Sequence, residues 1–348
     1  MLFYKKGFIC FIIVVLFYTL YILFKKRHEL LTEGMTNKLR MAFESRKMNG
    51  VKPTGILSLS EINSSDMLRQ YCIKSSYNSA LSGNYVSTDT IKHVLSRGCR
   101  FLDLEVFLID DDAQVAYSDD PTFVTINSKN SISLNSALQT MVVNAFSAPS
   151  PNPSDPLFIQ LRIKSKSSKI YNHVGMAISN YLAQKLHIGQ VTGQTILSSL
   201  MGKVVLIIDT TLSPNYSTNQ LYPKCGSNNK EIMKQEDCFN LLKYVNIESG
   251  TSNLRRYTYK SLSRQMTTPP TLVDSEHSQT DVTLFRLVCP DDDDTKNPNF
   301  SEFLNDYGVQ FISFKFYVVD TELKKYEQFF SKHKTAFVPF STAILVRY

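Results

Sequence analysis

Two carboxylates and one guanidinium are the groups of this chain whose spacing could do chemistry. Asp103 and Glu105 lie two residues apart in an apolar run, so on a β-strand both side chains point to the same face. Such a pair can act as a general base, bind a cation, or accept hydrogen bonds from an arginine. Arg162 lies in another apolar run, and Asn78 comes shortly after a third. If these runs are neighbouring strands, the four side chains converge on one site.

The apolar pattern predicts a sheet that could position these groups. Short runs rich in Val, Ile and Phe alternate with segments of helical spacing, which favours a largely parallel sheet. The length after residue 67 suits one (β/α)8 TIM barrel, an α/β fold in which functional groups lie at the carboxyl ends of the strands. The predicted strands are 71–74, 101–108, 114–117, 157–163, 204–208, 244–247, 282–287 and 311–319, and the predicted helices are 88–96, 134–146, 170–186, 301–307 and 322–333.

Six motifs in order along the chain resemble those of one enzyme family. The first contains Ser75-Ser76-Tyr77-Asn78, and the second runs from Arg97-Gly98-Cys99-Arg100 to Glu105. The other four lie at 156–162, 201–206, 285–290 and 308–316. Together they resemble the catalytic barrel of phosphoinositide-specific phospholipase C, whose X domain is the first half. The resemblance implies a phospholipase C-like phosphodiesterase barrel over 67–348.

The same resemblance implies a mechanism that this chain cannot follow. The family uses two histidines as proton-transfer groups and a calcium ion held by one Asn and three carboxylates. Tyr77 and Ser118 stand at the two histidine positions, and Arg162 replaces one calcium carboxylate. A tyrosine of ordinary pKa, ~10, is a poor base near neutrality, and an arginine cannot coordinate calcium. We therefore expect Tyr77, Ser118, Asp103 and Glu105, at the family's catalytic positions, to be inactive in that mechanism.

Arg162 itself is expected to fill the cation position. Its guanidinium would pair with Asp103 and Glu105 beside Asn78, leaving these three as vestigial metal ligands. No cofactor and no resident metal are predicted, with calcium as the alternative. In another arrangement, Arg162 points outward and pairs with surface acids.

Two more cations are candidate contacts for a ligand phosphate. The lysines that grip inositol phosphates in the family correspond to Ile207 and Asp209. Lys203 and Arg286 therefore remain as predicted ligand-binding residues, together with Asn78 and Arg162.

An apolar run near the amino terminus predicts a membrane anchor. Residues 7–24 carry no charge and would span on the order of 27 Å as a helix. Basic residues follow directly and no small-residue cleavage site is present, which argues against a signal peptide. The sequence thus predicts a transmembrane helix in 1–27, a stalk over 28–66 and a single-pass membrane protein. The more basic downstream flank predicts a cytoplasmic carboxyl-terminal domain.

Composition limits the partners. The chain is 43% hydrophobic and 20% charged, which excludes a mostly disordered protein. A net charge of +7 without a dense basic stripe favours an anionic membrane lipid, such as a phosphoinositide head group, over nucleic acid. A basic and aromatic cluster at 255–264 could contact lipid head groups, whereas the acidic run 291–294 is expected to be a solvated loop.

Six cysteines form no zinc motif and are expected to be reduced, although Cys225 and Cys238 could bridge in an oxidising compartment.

Three functions remain open from the sequence. The first is a pseudoenzyme that binds a lipid head group or an unidentified protein partner. The second is an active phosphoric diester hydrolase that uses Glu105 or Asp103 as its base. The third is a purely structural interaction module at a membrane.

Overall fold

The computed structural model describes residues 15–23, 54–60, 64–148, 150–218, 239–265 and 284–343. The chain divides into two compact units, Met1–Lys47 and Met48–Tyr348. Cys72, Cys99 and Cys289 are free and buried. Cys225 and Cys238 lie outside the described residues, so the prediction about their pairing stays a prediction.

The transmembrane helix predicted in 1–27 is not found. The only described residues of that segment form helix α1, 15–23, whose nine residues rise about 14 Å. A bilayer core is about 30 Å thick, and no helix in the described part of the chain is long and apolar enough to cross it. This finding overturns the predicted single-pass membrane localisation, and with it the cytoplasmic placement of the carboxyl-terminal domain. The rest of the predicted anchor lies outside the described residues.

Eight parallel strands of the second unit form a nearly closed barrel, which confirms the predicted α/β barrel. Their spatial order is β10-β11-β12-β1-β4-β7-β8-β9, and an isolated parallel bridge from Ser249 to Leu254 joins the two ends. The described strands are β1 Tyr71–Ser76, β2 Leu81–Ser82, β3 Tyr85–Val86, β4 Phe101–Ile109, β5 Asp112–Val115, β6 Ile132–Ser133, β7 Leu157–Ile163, β8 Val204–Asp209, β9 Ile247–Ser249, β10 Arg255–Thr258, β11 Arg286–Cys289, β12 Phe311–Phe314 and β13 Phe337–Pro339.

Helices cover the outside of the barrel and begin at recognisable caps. Ser87 accepts a hydrogen bond from the Asp89 amide at the start of α2, and Asp320 accepts one from the Leu323 amide at the start of α7. The helices are α2 Thr88–Ser96, α3 Leu134–Ala145, α4 Lys169–Tyr181, α5 Tyr259–Gln265, α6 Phe300–Asn305, α7 Thr321–His333 and α8 Phe340–Ala343, with 3₁₀ turns at Leu68–Gln70, Leu197–Leu200, Tyr216–Thr218 and Leu241–Lys243.

Several strand assignments differ from the sequence prediction: the short strands β2, β3, β6 and β13 were not predicted, and β9 begins where the predicted strand 244–247 ends. Two further differences concern the ring of eight. The predicted strand 114–117 is β5, which pairs antiparallel with β4 and lies outside the ring of eight. The reversal occurs at Asp110 and Asp111, whose φ angles of 51° and 57° form a tight hairpin turn. The strand β10 was missed, because its sequence Arg-Arg-Tyr-Thr lacks the apolar run that marks the other barrel strands.

Part of the predicted stalk packs on the barrel. Ile56 is buried against Gly98, where an added Cβ would lie 2.9 Å from the Ile56 Cδ1 atom. The φ of Gly98 is +78°, so this position favours glycine for two reasons. The Leu57 amide donates to the Lys334 carbonyl at 3.0 Å. We call residues 54–60 the strap, because they connect the start of β4 to the end of α7.

Candidate functional site

The barrel interior changes from aromatic to charged along its axis. In the register of β4 and β7, Phe101 pairs with Phe158, Asp103 with Gln160, and Glu105 with Arg162. The two phenylalanine rings pack on Phe311 at 4.8 and 5.4 Å between centroids, at the amino ends of their strands. The charged side chains therefore lie toward the carboxyl ends, which we call the mouth.

Arg162 occupies the centre of the mouth. Its Nε and Nη2 donate to the two Asp103 carboxylate oxygens at 2.8 and 2.7 Å, and its Nη1 donates to Glu105 Oε1 at 2.8 Å. Nη2 also donates to Asn78 Oδ1 at 2.6 Å. Arg162 is only 2% exposed, so the outward-pointing alternative is wrong and the predicted pairing is confirmed. Such a forked arrangement uses the geometry that distinguishes arginine from lysine.

Burial and the neighbouring charges have opposite effects on the pKa of the Arg162 guanidinium. Removal from water lowers the pKa of Arg162, but Asp103, Tyr77 and Glu105 outweigh that effect and raise the pKa well above its ordinary value. Arg162 is therefore a permanent cation in the mouth.

The remaining carboxylate oxygen atoms also have donors. Glu105 Oε2 accepts from the Ser118 amide at 2.9 Å and pairs with Lys164 Nζ at 3.2 Å. Asp103 accepts further hydrogen bonds from the Gln160 amide group at 3.2 Å and from the Asn78 backbone at 3.1 Å. Both carboxylates are thus fully engaged by protein donors. We call Asn78, Asp103, Glu105, Arg162 and Lys164 the mouth network.

The residues of the mouth do not fit the calcium ion that the resemblance implies. Calcium needs six to eight oxygen ligands, and here the Asp103 and Glu105 oxygens face a guanidinium. A cation of the protein already lies between them, and a second cation would be repelled. In the described part of the chain, no group of three or more His, Cys, Asp or Glu side chains is placed to hold a metal ion.

Tyr77 packs its ring against the guanidinium of Arg162. The Arg162 Cζ lies 4.4 Å from the Tyr77 ring centroid, a cation–π contact. Tyr77 is 4% exposed, and burial raises the pKa of its hydroxyl well above the ordinary value. A phenol with a raised pKa is an even poorer base than an exposed tyrosine, so the contacts of Tyr77 indicate a packing role.

Ser118 organises the loop that follows β5. Its hydroxyl donates to the Thr125 carbonyl at 2.6 Å and accepts from the Asp120 amide at 3.0 Å, while Lys164 donates to the Ser118 carbonyl. The hydroxyl is therefore committed to the loop. Ser118 therefore has a structural role in this loop.

A second ion pair lies at the mouth on the other side of Arg162. Arg256 Nε on β10 is 2.9 Å from Asp209 Oδ2 at the end of β8, an ion pair without hydrogen-bond alignment. Thr211 donates to the other Asp209 oxygen through its backbone and its hydroxyl. Burial lowers the pKa of Arg256, but Asp209 more than compensates and the net shift is upward.

A nook beside the mouth network is lined by Asn78, Glu105, Leu104 and Ala116. Its volume is about 10 Å³, which is barely the room that one water molecule needs. This nook is therefore too small for a ligand.

Two predicted ligand contacts are not part of the mouth. Lys203 directly precedes β8 and Arg286 is the first residue of β11, so both lie at the amino ends of parallel strands. Arg286 is buried and donates to the Tyr307 carbonyl. Lys203 and Arg286 are therefore separated from Asn78 and Arg162 by the length of the barrel, and their role as ligand contacts stays a prediction.

Sequence reasoning missed Lys164, Gln160 and Arg256. Lys164 and Gln160 lie two residues on either side of Arg162, so the period of two along β7 could have placed both on the same face. Arg256 had no such signal, because its strand was not recognised.

Comparisons with known proteins support the predicted resemblance. Residues 64–208 match the family model described as phosphatidylinositol-specific phospholipase C, X domain. The crystal structure of L. pealei PLC21 resembles this chain with a TM-score of 0.57 and 15% identity, over 84% of this chain and 39% of that one. S. officinalis PLC21 gives a TM-score of 0.54 and 13% identity, over 80% and 37%. The chain thus spans about two fifths of these structures. No curated protein matches the sequence.

Proposed function

We propose that this phospholipase C-like barrel is a pseudoenzyme, which binds a lipid head group or a protein partner and does not hydrolyse phosphodiesters. One observation carries the proposal. The guanidinium of Arg162 lies between Asp103 and Glu105, at the place where the resemblance puts a calcium ion. A fixed internal cation keeps the charge balance of the site while removing its free coordination positions.

The proposal is also supported by the lack of a suitable proton-transfer group at Tyr77 and Ser118. A general base works best when its pKa lies near the working pH, and loss of one such group typically costs ~10² to 10⁴ in rate. Tyr77 is buried with a raised pKa, and the Ser118 hydroxyl is bonded within its loop. The two changes affect different steps of the family's reaction, so a mutation at one of them alone would not restore it.

The hydrolase alternative requires Asp103 or Glu105 to accept a proton from the substrate. Both carboxylates are hydrogen-bonded to Arg162, and Glu105 also pairs with Lys164. The carboxylate oxygens that would have to accept the substrate proton are therefore already bonded to donors of the protein. The geometry therefore supports the pseudoenzyme over a carboxylate-based hydrolase.

A turnover assay of the full chain tests the proposal. The substrates are phosphatidylinositol vesicles and glycerophosphoinositol. Each is assayed with a chelator and with about 1 mM calcium, a concentration that would also occupy weak calcium sites. We expect product formation that equals that of a Glu105→Gln variant under every condition. Turnover that Glu105→Gln abolishes would overturn the proposal in favour of the hydrolase.

Calcium titration provides an independent readout. Isothermal titration of the full chain with calcium is expected to show no saturable heat, because Arg162 holds the site. Micromolar calcium binding would contradict the metal-free mouth. Vesicles that bind the chain without being hydrolysed would support the lipid arm of the proposal over the protein-partner arm.

A further inference from the structure

The backbone ladder of the barrel is weakest between β9 and β10, and we call this boundary the seam. β9 pairs with β8 along its whole length, and β10 does the same with β11. Across the seam, the ladder is reduced to the bridge between Ser249 and Leu254, where the Gly250 amide donates to the Leu254 carbonyl at 2.9 Å. Among the described residues, no further backbone hydrogen bond joins β10 to β8 or β9. Closure of the seam toward the mouth therefore depends on side chains.

The ion pair of Arg256 and Asp209 crosses the seam. Asp209 is the last residue of β8 and is in register with Ser249, the last residue of β9. Arg256 lies on β10 two residues after Leu254, so its side chain reaches over the end of β9 to β8. A pair of opposite charges thus joins two strands that share no backbone hydrogen bond.

This pair is held less firmly than the pairs of Arg162. The Arg162 guanidinium makes hydrogen bonds of 2.6 to 2.8 Å and is 2% exposed. Arg256 Nε and Asp209 Oδ2 are 2.9 Å apart, yet neither atom has a hydrogen-bond partner. The hydrogen bond from Arg256 Nη1 to Thr211 Oγ1 is 3.5 Å long, which is at the upper limit for such a bond. The seam thus has a charged contact of poor geometry.

Both members of the pair have another partner when they separate. The Arg256 side chain is 15% exposed, so its guanidinium can turn into water. Asp209 is fully buried, but its other oxygen keeps the hydrogen bonds from the Thr211 amide and hydroxyl. Separation therefore costs less than the loss of a fully buried ion pair, whose charges would be left without any partner.

We propose that Arg256 and Asp209 form a clasp, which closes the barrel at the seam and parts to open the mouth from that side while the other strands stay paired. Such a local opening draws on the least stable part of a fold and needs less free energy than global unfolding. The inference goes beyond the proposed function, because it concerns access to the mouth and is independent of whether the protein hydrolyses phosphodiesters.

A buried thiol beside the clasp can report this opening. Cys289 pairs with Thr258 of β10, and Leu287 is the partner of Arg256 in the same register, so Cys289 and Arg256 face the same side. Burial raises the pKa of Cys289 to about 11, with Arg256 as the main opposing charge. Cys289 is free and fully buried in the closed barrel, as are Cys72 and Cys99. A reagent can therefore reach these thiols only after the structure opens.

Alkylation of the full chain with iodoacetamide, followed for each cysteine by mass spectrometry, tests the clasp. In the unchanged chain, Cys289 should react at least about tenfold faster than Cys72 and Cys99, because it needs only the local opening. Urea below the unfolding transition should speed the reaction of Cys72 and Cys99 much more than that of Cys289, since a local opening exposes little surface. This comparison needs no variant.

Two substitutions of a buried acid by its amide separate the clasp from general destabilisation. Asp209→Asn keeps the shape of the side chain and removes its charge, so the reaction of Cys289 should become about tenfold faster. Glu327→Gln is the matched control. It weakens a buried ion pair far from the seam, so it should speed the reaction of Cys72 and Cys99 but not that of Cys289. Arg256→Gln, a second variant of the clasp, should act like Asp209→Asn.

Three results would each overturn the inference. The first is a Cys289 that reacts no faster than Cys72 and Cys99 in the unchanged chain. The second is a rate of Cys289 that neither variant of the clasp increases. The third is an equal increase at Cys289 in Asp209→Asn and Glu327→Gln. Far-ultraviolet circular dichroism confirms that each variant is folded.

Discussion

Two of the buried ion networks in the described part of the barrel differ in their balance of charge. The mouth network has two cations and two carboxylates, with Asn78 completing the bonds of Arg162. The second, which we call the frame network, consists of Lys74, Arg97 and Glu327, two cations that share one carboxylate between β1, α2 and α7. Lys74 Nζ lies 2.7 Å from Glu327 Oε1 and also donates to the Arg97 carbonyl at 2.6 Å.

The two networks differ in what they hold together. Arg97 belongs to the Arg97-Gly98-Cys99-Arg100 motif that resembles the phospholipase C family, and it joins an outer helix to the barrel. Arg162 lies instead in the centre of the mouth. We propose that the motif residues kept from the family maintain the fold, whereas the substituted ones alter the site.

The largest expected effect is that of Arg162→Glu. This change removes the central cation and adds a third carboxylate, so we expect it to destabilise the full chain by about 5 kcal/mol in urea unfolding. Calcium should recover stability, by about 2.7 kcal/mol at one hundred times its dissociation constant. Arg162→Met is the matched control, which should be destabilised without recovery by calcium. Equal calcium responses of the two variants would mean that Asn78, Asp103 and Glu105 cannot form a metal site.

A smaller loss is expected when the frame network loses its carboxylate. Glu327→Gln leaves Lys74 and Arg97 buried without a counter-charge, at a cost of about 3 kcal/mol. Glu322→Gln, in the same helix, removes only an exposed pair with Lys325 and should cost less than about 0.5 kcal/mol. Both are measured as the midpoint of urea unfolding. Similar losses for the two variants would show that the frame network contributes nothing beyond a surface pair.

The smallest effect concerns pH and lies next to the frame network. Burial, with Arg97 and Lys74 nearby, lowers the pKa of His93 to about 4. The unfolded chain then binds the proton more readily, so stability falls as the pH drops from about 6.5 toward 4. The loss is on the order of 1–2 kcal/mol, less than the full shift in pKa would give, because solvent screens the partly exposed ring. Thermal melts of His93→Gln should lose less stability over this range. A variant with the same pH dependence as the unchanged chain would assign the effect to other groups.

The contacts of Arg162 could be predicted from the sequence because they depend on local rules. Asp103 and Glu105 share a face by the period of two, and β4 and β7 are neighbours in the barrel, so the partners follow once the fold is assigned. Glu327 could not be assigned to Arg97, because 230 residues separate them and many acids have the same local pattern. Long-range pairs of this kind depend on how α7 packs, and no motif spacing contains that information.

The strands that could be predicted from the sequence are those with a local apolar pattern. Apolar strands such as β7 and β8 are buried on both faces and were predicted. The strand β10 begins with Arg255 and Arg256, so it lacks the apolar pattern and was not predicted. Arg256 forms the ion pair with Asp209 at the mouth. The charge that this pair needs is thus what made the strand unrecognisable from the sequence. The prediction of a membrane-spanning helix at the amino terminus rested on apolar length alone, and no helix of the described residues is long and apolar enough to span a membrane.

The strap has a consequence for the order in which the barrel can be completed. Its Leu57 pairs with Lys334, and Tyr71 in β1 pairs with Pro339 in β13. The strap and β1 are synthesised early in this unit, and their partners Lys334 and Pro339 are synthesised late. These contacts can therefore form only when most of the unit has left the ribosome. Contacts of such high sequence separation slow folding, because loop-closure entropy must be overcome before they form. During synthesis, we therefore expect the apolar face of β1 to stay without its final partner until β13 has emerged.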